Sequence, residues 1–433
     1  MAPSAGSAQP PVLLGQLARL RALVVDVVFV GGGVYVSYGS LFAVSVLVNR
    51  TLGTAELGRY GVALAVGQLA VQSVTGGFSA LLKRDVSVAP GRAADLVGPY
   101  LVLKGSAAGA IYGLVMAVAL AGSALGLVSP SLLWPLALVV AAVGAEAVGQ
   151  TFSETMQAAG RNGVYSAVLC AGAVVLLGLV GGALWAGLGA LAVYAALLAS
   201  RAATAAGAFA VFRRVAGPVA VRVQPERMRA VLSESWPLVV NGLVFAATAR
   251  AGTLVLARFE GPVPVGVFTF ASSVVAGVNM VGLSVGIVLF PVLCREFEAG
   301  GQRLRRLLYG STAALAAVGL CAVGALRVVE PLVLAVFGSL PATALPVLRL
   351  LALGLVPTFG SVASGYLFLA IGRQREGMYF SFVQAAVTLA TLAVLTARFG
   401  ISGTAAALVV SQTLMLVVAL VWLDGRHLAR LAR

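Results

Sequence analysis

Glu146, Arg201 and Arg250 each sit near the middle of a long apolar run. An unpaired charge there is costly in hydrocarbon, so each must find a partner or face a water-filled cavity. Glu146 and Arg201 belong to the same half of the chain. They can neutralise each other as a buried pair, or Glu146 can face water and exchange a proton or sodium ion. Arg250 has no acid at its depth in its own half, and Ala246, Ala247, Thr253 and Ala257 along its stripe leave room around a guanidinium. A guanidinium is a planar fork that donates two hydrogen bonds to adjacent oxygens. In a cavity it selects an anion such as phosphate, whereas a site for cationic drugs needs uncompensated carboxylates.

Three polar stripes run at helical spacing near these charges. One carries Gln68, Gln72, Thr75 and Ser79, a second Glu146, Gln150, Ser153 and Gln157, and a third Ser381, Gln384, Thr388 and Thr391. A stripe of this kind must face protein or water, because lipid offers no hydrogen bonds. Ser and Thr serve readily as glue between packed helices. The carboxamides point to a wet cavity instead, and Gln72, Gln150 and Gln384 are candidate contacts to a polar ligand.

The elements that position these residues are membrane helices. Hydrophobic residues make up 60% of the 433 positions and charged residues 10%, with a mean hydropathy of +1.03; a soluble domain cannot carry that much apolar surface. Runs of about 20 apolar residues are long enough to cross a bilayer. Such runs fall at 26–49, 61–82, 101–127, 132–157, 164–184, 188–212, 236–258, 265–291, 307–329, 345–370, 378–397 and 402–423. The expected fold is all-α: a polytopic membrane protein of about twelve transmembrane helices, in two six-helix lobes around a central cavity.

Residues 1–24 form an N-terminal tail, 25–212 the first lobe, 213–235 a linker, 236–423 the second lobe and 424–433 a C-terminal tail. In the linker, Pro225 suits a first helical position, and Met228, Val231 and Leu232 share a side, which predicts a short helix on the membrane surface. The net charge of +15 suggests nucleic acid only if its placement is ignored. With both termini cytoplasmic, most basic residues fall on the inner side, against Arg50, Arg59, Arg258, Arg327, Arg349 and Arg398 on the outer. No nucleic-acid partner is expected.

Cys170, Cys294 and Cys321 are scattered, and the sole histidine, His427, lies in the C-terminal tail. Neither a metal site, a cofactor nor a catalytic triad is indicated. Gly31-Gly32-Gly33 and Gly39 lack the strand and the Lys-Ser/Thr of a phosphate loop; close packing or a kink explains them better.

The two halves echo each other. Gly53, Gly58 and Tyr60 recur as Gly261, Gly266 and Phe268, each 208 positions on (261 against 53). Gly160-Arg161 with Tyr165 matches Gly372-Arg373 with Tyr379, and Gly187-Leu188-Gly189-Ala190 matches the turn from Gly400 to Ala405. Matched elements keep the same orientation, which is a parallel repeat of a six-helix unit.

Several segments resemble the bacterial oligosaccharide flippases. The stretch Asn49 to Gly61 is similar to their first extracellular turn. Trp236-Pro237, Val265-Gly266-Val267-Phe268-Thr269-Phe270-Ala271 and Phe290-Pro291 follow their pattern of Pro, "vGxYxxA" and Pro, with Phe268 in place of Tyr. Gly400-Ile401-Ser402-Gly403-Thr404-Ala405-Ala406 is similar to their "GxxGaa". The resemblance implies a polysaccharide exporter of the superfamily that includes multidrug and toxin extruders. Such a protein flips a polyprenyl-diphosphate-linked oligosaccharide across the bacterial cytoplasmic membrane by alternating access.

On that reading Arg250 and Arg50 hold the diphosphate, Glu146 couples transport to an ion, and the protein works as a monomer among membrane lipids, without enzymatic activity. Ala249-Arg250-Ala251-Gly252 replaces an acidic residue found in many members, which leaves the coupling open. The rivals are a multidrug or metabolite antiporter of the same superfamily and a membrane-embedded polymerase or glycosyltransferase.

Overall fold

The computed structural model describes residues 12–219, 225–299, 301–370 and 374–424, with side chains placed over 31–219, 225–280, 305–367 and 376–424. Lipid leaves backbone groups no partner, so an apolar chain must bond internally. The long elements are helices: α1 (Val12–Leu52), α2 (Thr54–Val88), α3 (Ala93–Ala124), α4 (Leu133–Ala158), α5 (Asn162–Trp185), α6 (Ala190–Ala216), α7 (Pro225–Phe259), α8 (Pro262–Ala299), α9 (Gly301–Phe337), α10 (Ala344–Leu353), α11 (Leu355–Ala370) and α12 (Gln374–Leu423). Their outer surface is apolar: Val118, Trp134, Val174, Trp185, Val328 and Val421 are all exposed. That pattern suits a lipid solvent.

Among the described residues, eleven stretches are long and apolar enough to cross a membrane, α10 and α11 together forming one of them. The last, α12, is two crossings. Straight, its 50 residues would run about 75 Å, more than twice the hydrocarbon thickness. Gly400 interrupts it at φ 57°, ψ −136°, a conformation favouring glycine. Beyond it the chain doubles back. Thr396 and Thr404 touch hydroxyl to hydroxyl at 3.0 Å, and Gln384 Nε2 donates to Gln412 Oε1 at 3.4 Å across 28 residues of sequence. Glu260 fixes the turn by accepting the Ile401 N–H at 3.0 Å.

The repeated glycine motifs pack against each other. A Cβ on Gly58 would lie 1.9 Å from the Pro262 carbonyl oxygen, and one on Gly266 would lie 1.9 Å from the Thr54 carbonyl oxygen. With the 208-residue offset, Thr54 corresponds to Pro262 and Gly58 to Gly266, so the two contacts are one contact made twice about a pseudo-two-fold axis. Gly61 and Thr269, equivalents under the same offset, also meet there. Only glycine lets α2 and α8 approach this closely, as small residues do where membrane helices cross.

The same end of the bundle, called the Gly53 end, carries further contacts between the halves. Asn49 of α1 is buried and donates to the Phe337 and Ser339 carbonyls at 2.9 and 3.4 Å. The Phe337 ring packs edge-on against Phe270 and Phe42 at centroid distances of 4.6 and 5.4 Å. At the opposite, Arg84 end, α2 and α7 are tied by the Arg84–Glu234 and Asp85–Arg227 ion pairs.

Three expectations change. The surface helix expected in the linker is the opening of α7, which runs without a break from Pro225 through Pro237 to Phe259. Pro237 lies in the fourth turn, in the helix interior, where it removes one backbone hydrogen bond without ending the helix. α1 begins at Val12, inside the segment read as an N-terminal tail, and at 41 residues is longer than one crossing. Of the α1 glycines, only Gly33 is tightly packed, its Cβ position 3.0 Å from Ser166 Cα, while Gly31, Gly32 and Gly39 have open space. Residues 371–373, the side chains of Phe290, Pro291 and Cys294, and His427 lie outside the described residues.

Candidate functional site

Six helices of the fold enclose a cavity of about 790 Å³ between the middle of the bundle and its Arg84 end. Five of them, α1, α2, α4, α5 and α6, come from the first half, and α7 closes the cavity from the second. At its Gly53-ward limit stand Leu41, Leu64, Val139, Leu197 and Arg250; towards the Arg84 end it reaches Ala80, Glu154, Tyr165 and Leu238. Helical periodicity explains the lining. Gln68, Gln72, Thr75 and Ser79 of α2 all face it, as do Glu146, Gln150 and Ser153 of α4. Gln157 continues the α4 stripe but is absent from the lining, and its Oε1 is buried without a hydrogen-bond partner among the described residues.

Arg250 projects from α7 across to α2. Its Nε and one terminal nitrogen donate to Gln68 Oε1 at 3.0 and 2.5 Å, and no carboxylate among the described residues pairs with it. Among the described residues its other donors make no hydrogen bond, which leaves them for a ligand. Arg201 stands 3.5 Å from Glu146, and Glu146 accepts a hydrogen bond from Gln150 Nε2 at 3.1 Å. The structure therefore joins Glu146 and Arg201 as a pair, and both also line the cavity.

At the foot of the cavity, Glu154 meets the only two lysines of the chain. Lys104, fully buried on α3, donates to Glu154 at 3.3 Å and to Ser79 at 3.0 Å, and Lys83 lies 3.7 Å from the other carboxylate oxygen. Sequence reading passed over Glu154 and this cluster. The scarcity of lysine among the 29 basic residues is the one signal that could have drawn attention to it. The lining carries two cations, Arg250 and Arg201, and two carboxylates, Glu146 and Glu154, with Lys104 and Lys83 standing behind Glu154 outside the lining. Glu146 is paired with Arg201 and Glu154 with the lysines, so Arg250 is the lining cation left without a carboxylate among the described residues, and an anion is the charge that balances it.

The structure gathers Arg250, Gln72, Gln150 and Glu146 into one cavity. It does not bring Arg50 or Gln384 to it. Arg50 is exposed at the Gly53 end, where a terminal nitrogen donates to the Ala335 carbonyl at 3.0 Å, so its guanidinium fastens α1 to α9. Gln384 joins the two limbs of α12, and its stripe partners Ser381 and Thr391 bond back to their own helix. The third stripe is glue. Beyond the apolar spans at the Arg84 end, a hydrogen bond from Arg84 holds the Glu234 carboxyl below its usual range.

Solved structures share the fold. An inward-facing multidrug resistance MATE family transporter of the MOP superfamily aligns at TM-score 0.77 and 16% identity, over 92% of this chain and 95% of that one. A MOP superfamily transporter from Pyrococcus furiosus, described as having a binding pocket of reverse polarity, aligns at 0.64 and 16% over 94% and 96%. An outward-facing MATE family transporter aligns at 0.63 and 15% over 94% and 96%. No curated protein matches the sequence. The family model for polysaccharide biosynthesis proteins matches residues 23–297, well over half the chain. With its helices long enough to cross the bilayer and its fold shared with MOP transporters, this multi-pass membrane protein belongs to the polysaccharide biosynthesis protein family.

Proposed function

We propose that the protein flips a polyprenyl-diphosphate-linked oligosaccharide from the inner to the outer leaflet of the bacterial cytoplasmic membrane, with both termini cytoplasmic, as a step in surface polysaccharide assembly. The observation that carries this reading is Arg250. It is a guanidinium facing a polar cavity, without a carboxylate partner among the described residues, in a chain of the polysaccharide biosynthesis family. A diphosphate supplies paired oxygens for that fork and the negative charge the cavity lacks.

The placement of the contacts supports alternating access. The halves meet tightly at the Gly53 end, and the cavity lies towards the Arg84 end. This arrangement loads substrate from the Arg84 side, and rocking of the halves about the axis at Gly58 and Gly266 would expose the cavity on the other. The inward-facing relative, which aligns at the higher TM-score, supports the same state. The prenyl tail stays in lipid, where each buried methylene is already satisfied. The work is transport by a monomer, with no chemical step. Glu146, wet on one side and held by Arg201 and Gln150 on the other, is the proposed ion-coupling group.

Complementation of a flippase-deficient strain tests the role of Arg250. Arg250→Ala is expected to abolish surface glycan while the protein is still made and folded, and Arg250→Lys, which keeps the charge and loses the fork, to restore part of it. Full export by Arg250→Ala would remove the assignment.

A further inference from the structure

The cavity holds polar groups that a diphosphate does not use. Asn241 of α7 lines it, and its Oδ1 is buried without a hydrogen-bond partner among the described residues. A buried acceptor left without a donor is expensive, and a ligand donor that draws the Asn241 carboxamide round towards the cavity relieves it. Beside it lies Gln72 of α2. Its amide rests between two glycines on facing helices: a Cβ on Gly76 would be 3.9 Å from Gln72 Oε1, and one on Gly242 would be 3.7 Å from Gln72 Nε2. The two helices thus present bare backbone on either side of a carboxamide, with the Asn241 acceptor next in sequence to Gly242. The Thr75 and Ser79 hydroxyls continue the same wall of the cavity.

This group is set apart from the Arg250 contact. Gln68, which receives the guanidinium, is one turn from Gln72, about 6 Å along α2. A ligand that places its phosphate at Arg250 reaches Gln72 and Asn241 with the next group along. The chemistry there is neutral and two-sided. Carboxamides offer N–H donors and C=O acceptors together, the complement of a hydroxyl, which does both. Among the described residues, Gln72 is the one side chain lying over the two glycines, and the cavity they line gives a ring room beside its carboxamide.

We infer that Gln72, Asn241 and the glycine floor of Gly76 and Gly242 form a sugar subsite for the ring attached to the diphosphate. The inference rests on the anion reading of Arg250 and assigns a separate role: Arg250 holds the phosphate, and the amide floor distinguishes a glycosylated lipid from the bare carrier. Selection by hydrogen bonds to a ligand hydroxyl is strong because the alternative leaves buried polar groups unpaired.

The test uses the full chain in lipid nanodiscs. Affinity is measured for two probes, a polyprenyl diphosphate and the same lipid carrying one N-acetylhexosamine, and read as the ratio between them. The wild type is expected to prefer the glycosylated probe by about tenfold or more, and Asn241→Ala and Gln72→Ala each to lower that ratio by about tenfold. Gly242→Ala places a methyl at ordinary contact distance from Gln72, so the fold accepts it, and the ratio should fall there too.

A wild-type ratio near one overturns the subsite, and so does an unchanged ratio in Gly242→Ala and Asn241→Ala. Neither outcome touches the phosphate role. Conversely, an Arg250→Ala variant that binds both probes at wild-type affinity sinks the anion reading, whatever the ratios show.

Discussion

The chemistry of the cavity rests on which charges are compensated. Arg250 is held by one carboxamide oxygen, whereas Lys104 is fully buried against Glu154 and Ser79. They answer opposite tests. Removing a buried partner leaves a charge uncompensated, so Lys104→Met should cost about 3 kcal/mol of stability, with the double variant Lys104→Met, Glu154→Leu recovering much of it. Thermal unfolding in detergent measures both, and additive losses would show that the pair is not coupled. Glu146 is assigned a different role. Glu146→Gln should keep the hydrogen-bond geometry with Gln150 and change the dependence of transport on pH or sodium; transport with unaltered dependence would remove its coupling role. In sequence, Arg250 was legible because a lone guanidinium in an apolar run has few explanations. Arg50 lies outside the cavity in this structure, its guanidinium donating to the Ala335 carbonyl of α9, which its place in the sequence did not indicate. Glu154 lay too close to a predicted span end to stand out.

Among the elements, α2 does the most. One face lines the cavity with Gln68 to Ser79, and the start of the helix meets α8 through glycine. Gly58→Leu forces a side chain into the Pro262 carbonyl, an obstacle that cannot rotate away. It should cost about 1–3 kcal/mol and spread the Gly53 end. Spin labels at Glu56→Cys and Val263→Cys would report the spreading as a longer distance, and an unchanged distance would show that the close approach is not needed. Gly400→Ala meets a backbone conformation favouring glycine and should destabilise by about 1–3 kcal/mol in the same unfolding assay. Hydropathy located every crossing, since lipid enforces the apolar runs. It could not show where α7 begins, because a helix that leaves the membrane continues in polar sequence without a break. Nor could it separate a stripe that faces water from one that faces a neighbour. The stripes of α2 and α4 line the cavity, and that of α12 joins two limbs of one hairpin.

At the scale of the molecule, two six-helix halves are fastened at one end by glycine contacts, Asn49 and the Phe337 cluster, with the cavity displaced towards the other. The duplication was visible in the sequence as glycines 208 positions apart, and the structure gives the reason: each copy needs its glycine because it packs on its counterpart. If transport needs that seam to open, bridging Asn49→Cys to Ser339→Cys with a thiol cross-linker should stop transport, and a cleavable linker should restore it on reduction. Fold and family leave two cargoes in contention, an anionic glycolipid and a cationic drug, and Arg250, the lining cation without a carboxylate among the described residues, favours the first. The most direct measurement is flipping in proteoliposomes containing only this protein, with a polyprenyl-diphosphate-linked glycan in one set and a cationic dye in the other. The account predicts protein-dependent appearance of the glycan on the opposite leaflet, lost in Arg250→Ala, and no dye movement; dye transport with a stationary glycolipid would contradict it.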